Sequence, residues 1–163
     1  MALAKNDIEK VLSYDPQTGK FRWKITRGRC CNGKIAGSVG GYGYISIGIN
    51  GTKYGAHRLA WLLMTENWPT TDIDHINGIL TDNRIKNLRL ATRSQNLGNS
   101  STHVDSTSGL KGAAWDRQTG RWRCTLMIQG VKYDFGRYDT AEQAHEVYCR
   151  ESSRLHGEFA RHK

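Results

Sequence analysis

From residue 73 to residue 96 the chain reads IDHINGILTDNRIKNLRLATRSQN, an odd set of side chains for either a core strand or a surface loop. An acid and an imidazole, Asp74 and His75, stand between two isoleucines, and Asn87 and Asn96 follow in the same stretch. A core strand would not select Asp and His, and a solvated loop would not need Ile73, Ile76, Ile85, Leu88 and Leu90. Residues 73–76 read as a strand ending in a turn at Asn77-Gly78. Residues 82–87 read as an irregular turn, and 88–90 as a returning strand. Thr92 then caps a helix, with Gln95 as its reciprocal partner. A strand–loop–strand–helix unit of this size has no core of its own, so a metal ion bound between strand and helix would supply the clamp. The cysteines do not offer themselves as its ligands. Cys30, Cys31, Cys124 and Cys149 lack the paired spacing of a structural zinc site, and without a secretory signal they read as reduced thiols. Oxygen and imidazole ligands remain.

Upstream elements must hold this unit in place. Residues 7–12 suggest a short helix opened by Asn6 or Asp7, and Asp15-Pro16-Gln17-Thr18-Gly19 a turn between short strands. Tyr42, Tyr44 and Ser46 alternate with Gly43, Ile45, Ile47 and Ile49, the period of a strand. Asn50-Gly51 is a strong hairpin signal because its turn needs positive φ at both central residues. A second strand over 52–56 and a helix over 57–64 follow, closed by Trp68-Pro69. His57 opens that helix and reads as a buried structural histidine. Residues 97–109, small and polar throughout, form a linker. The expected organisation is a domain over 1–100, a linker over 101–108 and a second domain over 109–163. In the last, turns at Gln118-Thr119-Gly120 and Gln129-Gly130 separate three strands. A helix capped by Thr140 and Gln143 then presents Ala141, Ala144, Val147 and Tyr148 on one face. The fold class is α+β: N-terminal antiparallel hairpins and the strand–strand–helix unit, then a three-stranded antiparallel sheet packed on one helix.

Net charge narrows the partners. The chain of 163 residues carries 24 Lys and Arg against 15 Asp and Glu, a formal +9. The segment GKFRWKITRGRCCNGK supplies Lys20, Arg22, Lys24, Arg27, Arg29 and Lys34 with no acid. Such a cluster suits a polyanion whose condensed counterions are released on binding. No stretch approaches the roughly 18 apolar residues of a membrane span. The beginning MALAKNDIEKVL has no long apolar core, so a cytoplasmic protein without a membrane partner is expected.

The 73–96 stretch resembles the HNH nuclease motif, the ββα-metal unit, in the form carried by phage homing endonucleases. YDPQTGKFRWK and GYGYISIGINGTKYGAHRLAW are similar to that group's N-terminal region, so the likeness covers residues 7–100. It implies a metal-dependent DNA endonuclease acting in a phage-infected bacterial host. In this reading His75 is the general base toward the attacking water, and Asn87 orients His75 and staples the loop. Asp74 and Asn96 hold one divalent ion, Mg²⁺ or Mn²⁺, with Asn99 on the same helix face as the alternative to Asn96. No structural zinc is expected. One active site per chain nicks one strand, and a double-strand break calls for a homodimer or two events. Arg22, Lys24, Arg27, Arg29, Arg58 and Arg93 are candidate phosphate contacts.

The C-terminal residues resemble the plant ethylene-responsive-factor (apetala-two) type DNA-binding domain, through SGLKGAAWD, TGRWRCTLMI, FGRYDTAEQAHEVY and LHGEFA. That family lays its sheet in the major groove of double-stranded DNA, which here implicates Lys111, Arg121, Arg123 and Lys132. Alternation independently places Trp122, Cys124, Leu126 and Ile128 toward the helix, and Arg121, Arg123, Thr125 and Met127 on the opposite face. The alternative function is a catalytically inert DNA-binding regulator that uses this sheet.

Overall fold

The computed structural model describes residues 3–26, 28, 32–100, 102 and 106–162. Arg27, Arg29, Cys30 and Cys31, singled out above, lie outside the described residues. Two compact units divide the chain between Leu90 and Ala91.

The first unit opens with α1 (Lys5–Val11), capped from Ala4, whose amide donates to the Asp7 carboxylate at 3.4 Å. The helix therefore starts ahead of the expected Asn6 or Asp7: Asp7 acts from the third helical position, reaching back to an amide that the helix leaves unpaired. A hairpin follows, β1 (Leu12–Asp15) on β2 (Lys20–Trp23), with Tyr14 opposite Phe21. Next comes a three-stranded antiparallel sheet, β3 (Ser38–Val39), β4 (Ile45–Ile49) and β5 (Thr52–Gly55), with β4 in the centre. Its β4–β5 turn holds Asn50 at φ 50° and Gly51 at φ 82°, the pair of left-handed residues that a two-residue hairpin requires. Helix α2 (Ala56–Thr65) then leads to β6 (Asp72–His75) and β7 (Leu88–Ala91), which form a separate two-stranded sheet. Ile8, Leu12, Phe21, Ile47, Leu59, Ile73 and Leu88 meet in one apolar core that joins these elements. Ile73 of β6 and Leu88 of β7 belong to it, so the strands bearing the candidate chemistry are anchored from beneath.

The second unit contains α3 (Arg93–Gly98), the antiparallel sheet β8 (Ala113–Asp116), β9 (Arg121–Ile128) and β10 (Val131–Tyr138) with β9 in the centre, and α4 (Ala141–His156). Thr140 Oγ1 accepts from the Gln143 amide and the Gln143 side chain accepts from the Thr140 amide, a reciprocal cap. Cys124 and Leu126 of β9 pack with Ala113, Ala141, Ala144 and Tyr148 into a second core, with Trp122, Ile128 and Val147 at its edge. Gly112 sits at φ +79° where an added Cβ would stand 2.0 Å from the Tyr148 ring, so only glycine lets β8 approach the helix.

Helix α3 falls with this second unit, whereas the sequence groups it with the strands that precede it. Its last turn is bonded to Lys111, 13 residues on, and its first turn to Gln129, 35 residues on, and pairings at such range leave no local pattern to read. No helix among the described residues is long and apolar enough to cross a membrane.

Candidate active site

Asp74 and His75 end β6, and both are buried, with 3% and 2% of their surface exposed. Neighbouring side chains of a strand leave on opposite faces, and the two meet different partners. Asp74 Oδ2 accepts from Arg89 on β7, from Nε at 2.9 Å and from Nη2 at 2.8 Å. A buried carboxylate requires such a counter-charge, since desolvation otherwise drives it to neutrality.

His75 Nε2 lies 3.2 Å from Oδ1 of Asn83, itself 1% exposed. An amide oxygen only accepts, so the ring donates from Nε2, and the lone pair of the neutral imidazole resides on Nδ1. Burial pulls the His75 pKa below the usual histidine value; the Asn83 hydrogen bond and the charges of Asp74 and Asp82 oppose this without cancelling it. The neutral ring, the form able to take a proton, therefore prevails at neutral pH.

Asn83 is held in turn. Its carbonyl accepts from the Tyr14 hydroxyl at 2.8 Å. Gly19, at φ +70° in the β1–β2 turn, packs so closely on the backbone of residues 83 and 84 that an added Cβ would lie 2.4 Å from the Arg84 amide nitrogen. The first hairpin of the chain is thus a buttress under the amide that grips His75.

Asn87, at the end of a single 3₁₀ turn (Ile85–Asn87), ties the loop together. Its Oδ1 accepts from the Asn77 amide at 3.0 Å, its Nδ2 donates to the Asp82 carbonyl at 2.8 Å, and its own carbonyl accepts from the Ile76 amide at 2.9 Å. Asp82 ion-pairs with Arg84 and accepts from Asn77, and these bonds hold its carboxyl down at about 2.

Two rings stand beside His75. The His57 ring stands 5.4 Å from it, edge to face, and the Tyr44 ring 5.7 Å away. His57 occupies the first turn of α2. Its ring folds back over Gly55, where an added Cβ would lie 2.7 Å from Cε1. Burial, first, and then the neighbouring His75 and Arg58 lower its pKa to about 4, so it is a neutral, structural ring at pH 7.

Asn96 lies in the second turn of α3, half-buried, and its amide donates to the Thr92 carbonyl. Asn99 is the buried C-cap of the same helix. Thr92 Oγ1 and the Gln95 side chain form the reciprocal cap expected. The donor set fits a hard divalent cation, because a carboxylate and a carboxamide are both oxygen ligands of the kind such ions prefer. No cluster of three His, Cys, Asp or Glu side chains suited to a metal occurs among the described residues.

A family model described as HNH endonuclease matches residues 54–97, which run from β5 through both candidate strands to α3. Protein 3.8 of Escherichia phage T7 is 39% identical over 89 residues, 55% of this chain and 73% of that relative. The chain belongs to the HNH endonuclease family. An uncharacterized HNH endonuclease of Acanthamoeba polyphaga mimivirus is 33% identical over 110 residues, 66% of this chain and 56% of that protein. A solved structure describing DNA binding and cleavage by the HNH homing endonuclease I-HmuI is similar at 18% identity with a TM-score of 0.44, covering 86% of this chain and 76% of that one.

The basic candidates of this HNH endonuclease are placed unevenly. Arg22 Nη1 donates to the Gly33 carbonyl and Lys24 Nζ to the Glu9 carbonyl, each from an exposed position. Arg58 sits over the Trp68 ring at 6.0 Å, and Arg93 is exposed in the first turn of α3. Lys111 departs from the expectation of a DNA-reading side chain. Its ammonium is half-buried and donates to three carbonyls, and burial brings its pKa down to about 8. Arg121 is exposed but paired with Asp139 at 2.6 Å, Arg123 is half-buried with no acceptor at Nε, and Lys132 is exposed.

Sequence reasoning did not single out Asn83, Arg89's hold on Asp74, or Tyr44 as part of the site. For Asn83 a signal existed: two asparagines, Asn83 and Asn87, stand four apart in a loop otherwise rich in apolar anchors.

Proposed function

We propose that this HNH endonuclease hydrolyses a phosphodiester of double-stranded DNA, with His75 as general base and one Mg²⁺ or Mn²⁺ ion held by Asp74 and Asn96. The observation that carries the reading is the grip on His75: a buried amide oxygen fixes the proton on Nε2 and a lowered pKa keeps the ring neutral. Nδ1 takes the proton of the attacking water. Asn83 keeps the ring in that orientation as it becomes charged, since the Nε2–H bond persists in the imidazolium and strengthens with its charge. Asn87 holds the loop that bears Asn83. When bound, the divalent ion supplies charge stabilisation at the phosphate and at the departing 3′ oxygen. Arg89 sets a compensating positive charge against the Asp74 carboxylate. The exposed basic groups of the first unit and Lys132 of the second serve as phosphate contacts, and the C-terminal sheet as a duplex-binding surface.

The test is plasmid nicking with Mg²⁺ or Mn²⁺ by wild type, His75→Ala and Asp74→Ala. Loss of nicking in both variants with retained duplex binding is expected. Undiminished nicking by His75→Ala would remove this ring from the chemistry.

A further inference from the structure

Helix α3 has six residues, Arg93–Gly98, far below the dozen or so that an isolated helix needs to persist in water. Something else sets its position, and the second unit holds it at both ends. At the first turn Ser94 Oγ accepts the Gln129 amide at 2.9 Å. That amide belongs to the β9–β10 turn, which Gln129 at φ 50° and Gly130 at φ 80° bend back onto the helix. At the last turn Lys111 Nζ donates to the carbonyls of Gly98 at 2.7 Å, Ser100 at 2.5 Å and Arg161 at 3.1 Å. An ammonium has three donors and no acceptor, so these bonds use all of it. One acceptor, Gly98, is among the terminal carbonyls that a helix cannot pair within itself. Beside them His156 presses on Gly98, where an added Cβ would stand 2.9 Å from Nδ1. Lys111 is steadied from the other side by the Tyr148 ring at 5.8 Å.

We infer that Lys111 is a positioning residue that acts, within the second unit, through the end of α3 on Asn96. This rests on the reading of Asn96 as a metal ligand. Lys111 is then a device for metal affinity, and its role is unrelated to reading DNA. Gly98 ends the helix, Ser100 follows it and Arg161 ties the lysine to the C-terminal segment, so Lys111 sets the position of the helix end two residues from Asn96.

The experiment uses the full chain as wild type, Lys111→Met, Ser94→Ala and His75→Ala. Three quantities are read: amide hydrogen exchange at residues 94–99, Mn²⁺ binding by the protein alone followed by electron paramagnetic resonance, and nicking as a function of Mn²⁺. Lys111→Met is expected to speed exchange in α3 and weaken Mn²⁺ binding by about ten- to a hundred-fold, the usual effect of removing an outer support from a ligand. Nicking should return toward the wild-type rate at raised Mn²⁺. Ser94→Ala should do the same more weakly, and it carries the test if Lys111→Met does not fold. Faster exchange in α3 with unchanged Mn²⁺ affinity and unchanged nicking would overturn the inference. His75→Ala separates it from the functional reading: that variant should lose nicking while binding Mn²⁺ and protecting α3 as wild type does. Full nicking by His75→Ala defeats the assignment of the base and leaves the exchange and Mn²⁺ comparisons to decide the role of Lys111.

Discussion

A histidine serves as a base only while it is neutral, and at His75 the surroundings decide when that is. Burial favours the neutral ring, while Asn83 and the nearby carboxylates favour the charged one, and burial wins. The acid limb of the nicking rate is therefore expected below the ordinary histidine value of about 6.5. Asn83→Ala removes a bond that raises the pKa, so the limb should move further down while the rate falls. Asn83→Asp puts a charge on the same bond and should move it up. A pH profile that does not respond to either change would detach Asn83 from the base. The Asp74–Arg89 pair gives a second prediction at this scale. Arg89→Met leaves a carboxylate at 3% exposure without its guanidinium. Urea unfolding should show a loss of about 3 kcal/mol or more, and Asp74→Asn in the same chain should restore part of it.

Elements explain how so small a motif keeps its geometry. The β1–β2 hairpin reaches the active-site loop through the Tyr14 hydroxyl and the backbone of Gly19. Gly19→Ala combines a left-handed φ with a backbone collision, so it is expected to cost more than the roughly 1 kcal/mol of an ordinary glycine replacement. Because the backbone that moves is that of Asn83, kcat should fall more than KM rises. Tyr14→Phe, which loses one hydrogen bond, should cost about 1 kcal/mol and disturb nicking less. What the sequence reveals at this level follows the range of the interactions. The Asn50-Gly51 hairpin and the caps at Thr92 with Gln95 and Thr140 with Gln143 involve residues at most three apart, and each is legible from residue type. The α+β class and the sorting of β9 into a core face and an outer face follow from alternation. Asp74, His75 and Asn87 stand out by being polar among isoleucines and leucines. The hydrogen bond of Tyr14 to Asn83 spans 69 residues and that of Lys111 to Arg161 spans 50. Pairings at such distances leave no periodic trace, which is why Lys111 reads as a DNA-contacting lysine although its ammonium donates to three carbonyls.

At the scale of the whole molecule, each unit has its own core, and acid acts on the first through His57. The folded ring titrates at about 4 because burial resists its charge, whereas the unfolded ring titrates near 6.5. Between these values the unfolded chain takes up a proton that the folded chain refuses. Stability is thus fully present above about 6.5 and declines as pH falls toward 4, by about 3 kcal/mol in all. Urea midpoints of the first unit should drop across that window and drop less in His57→Gln. The division of the chain between Leu90 and Ala91 carries a consequence for descent and for engineering alike. A crossover in the polar 101–108 segment, the natural place to splice a new targeting module, would part α3 from the lysine that seats it. Chimaeras should instead carry their junction at the end of β7, so that α3 is imported together with the lysine bonded to its last turn.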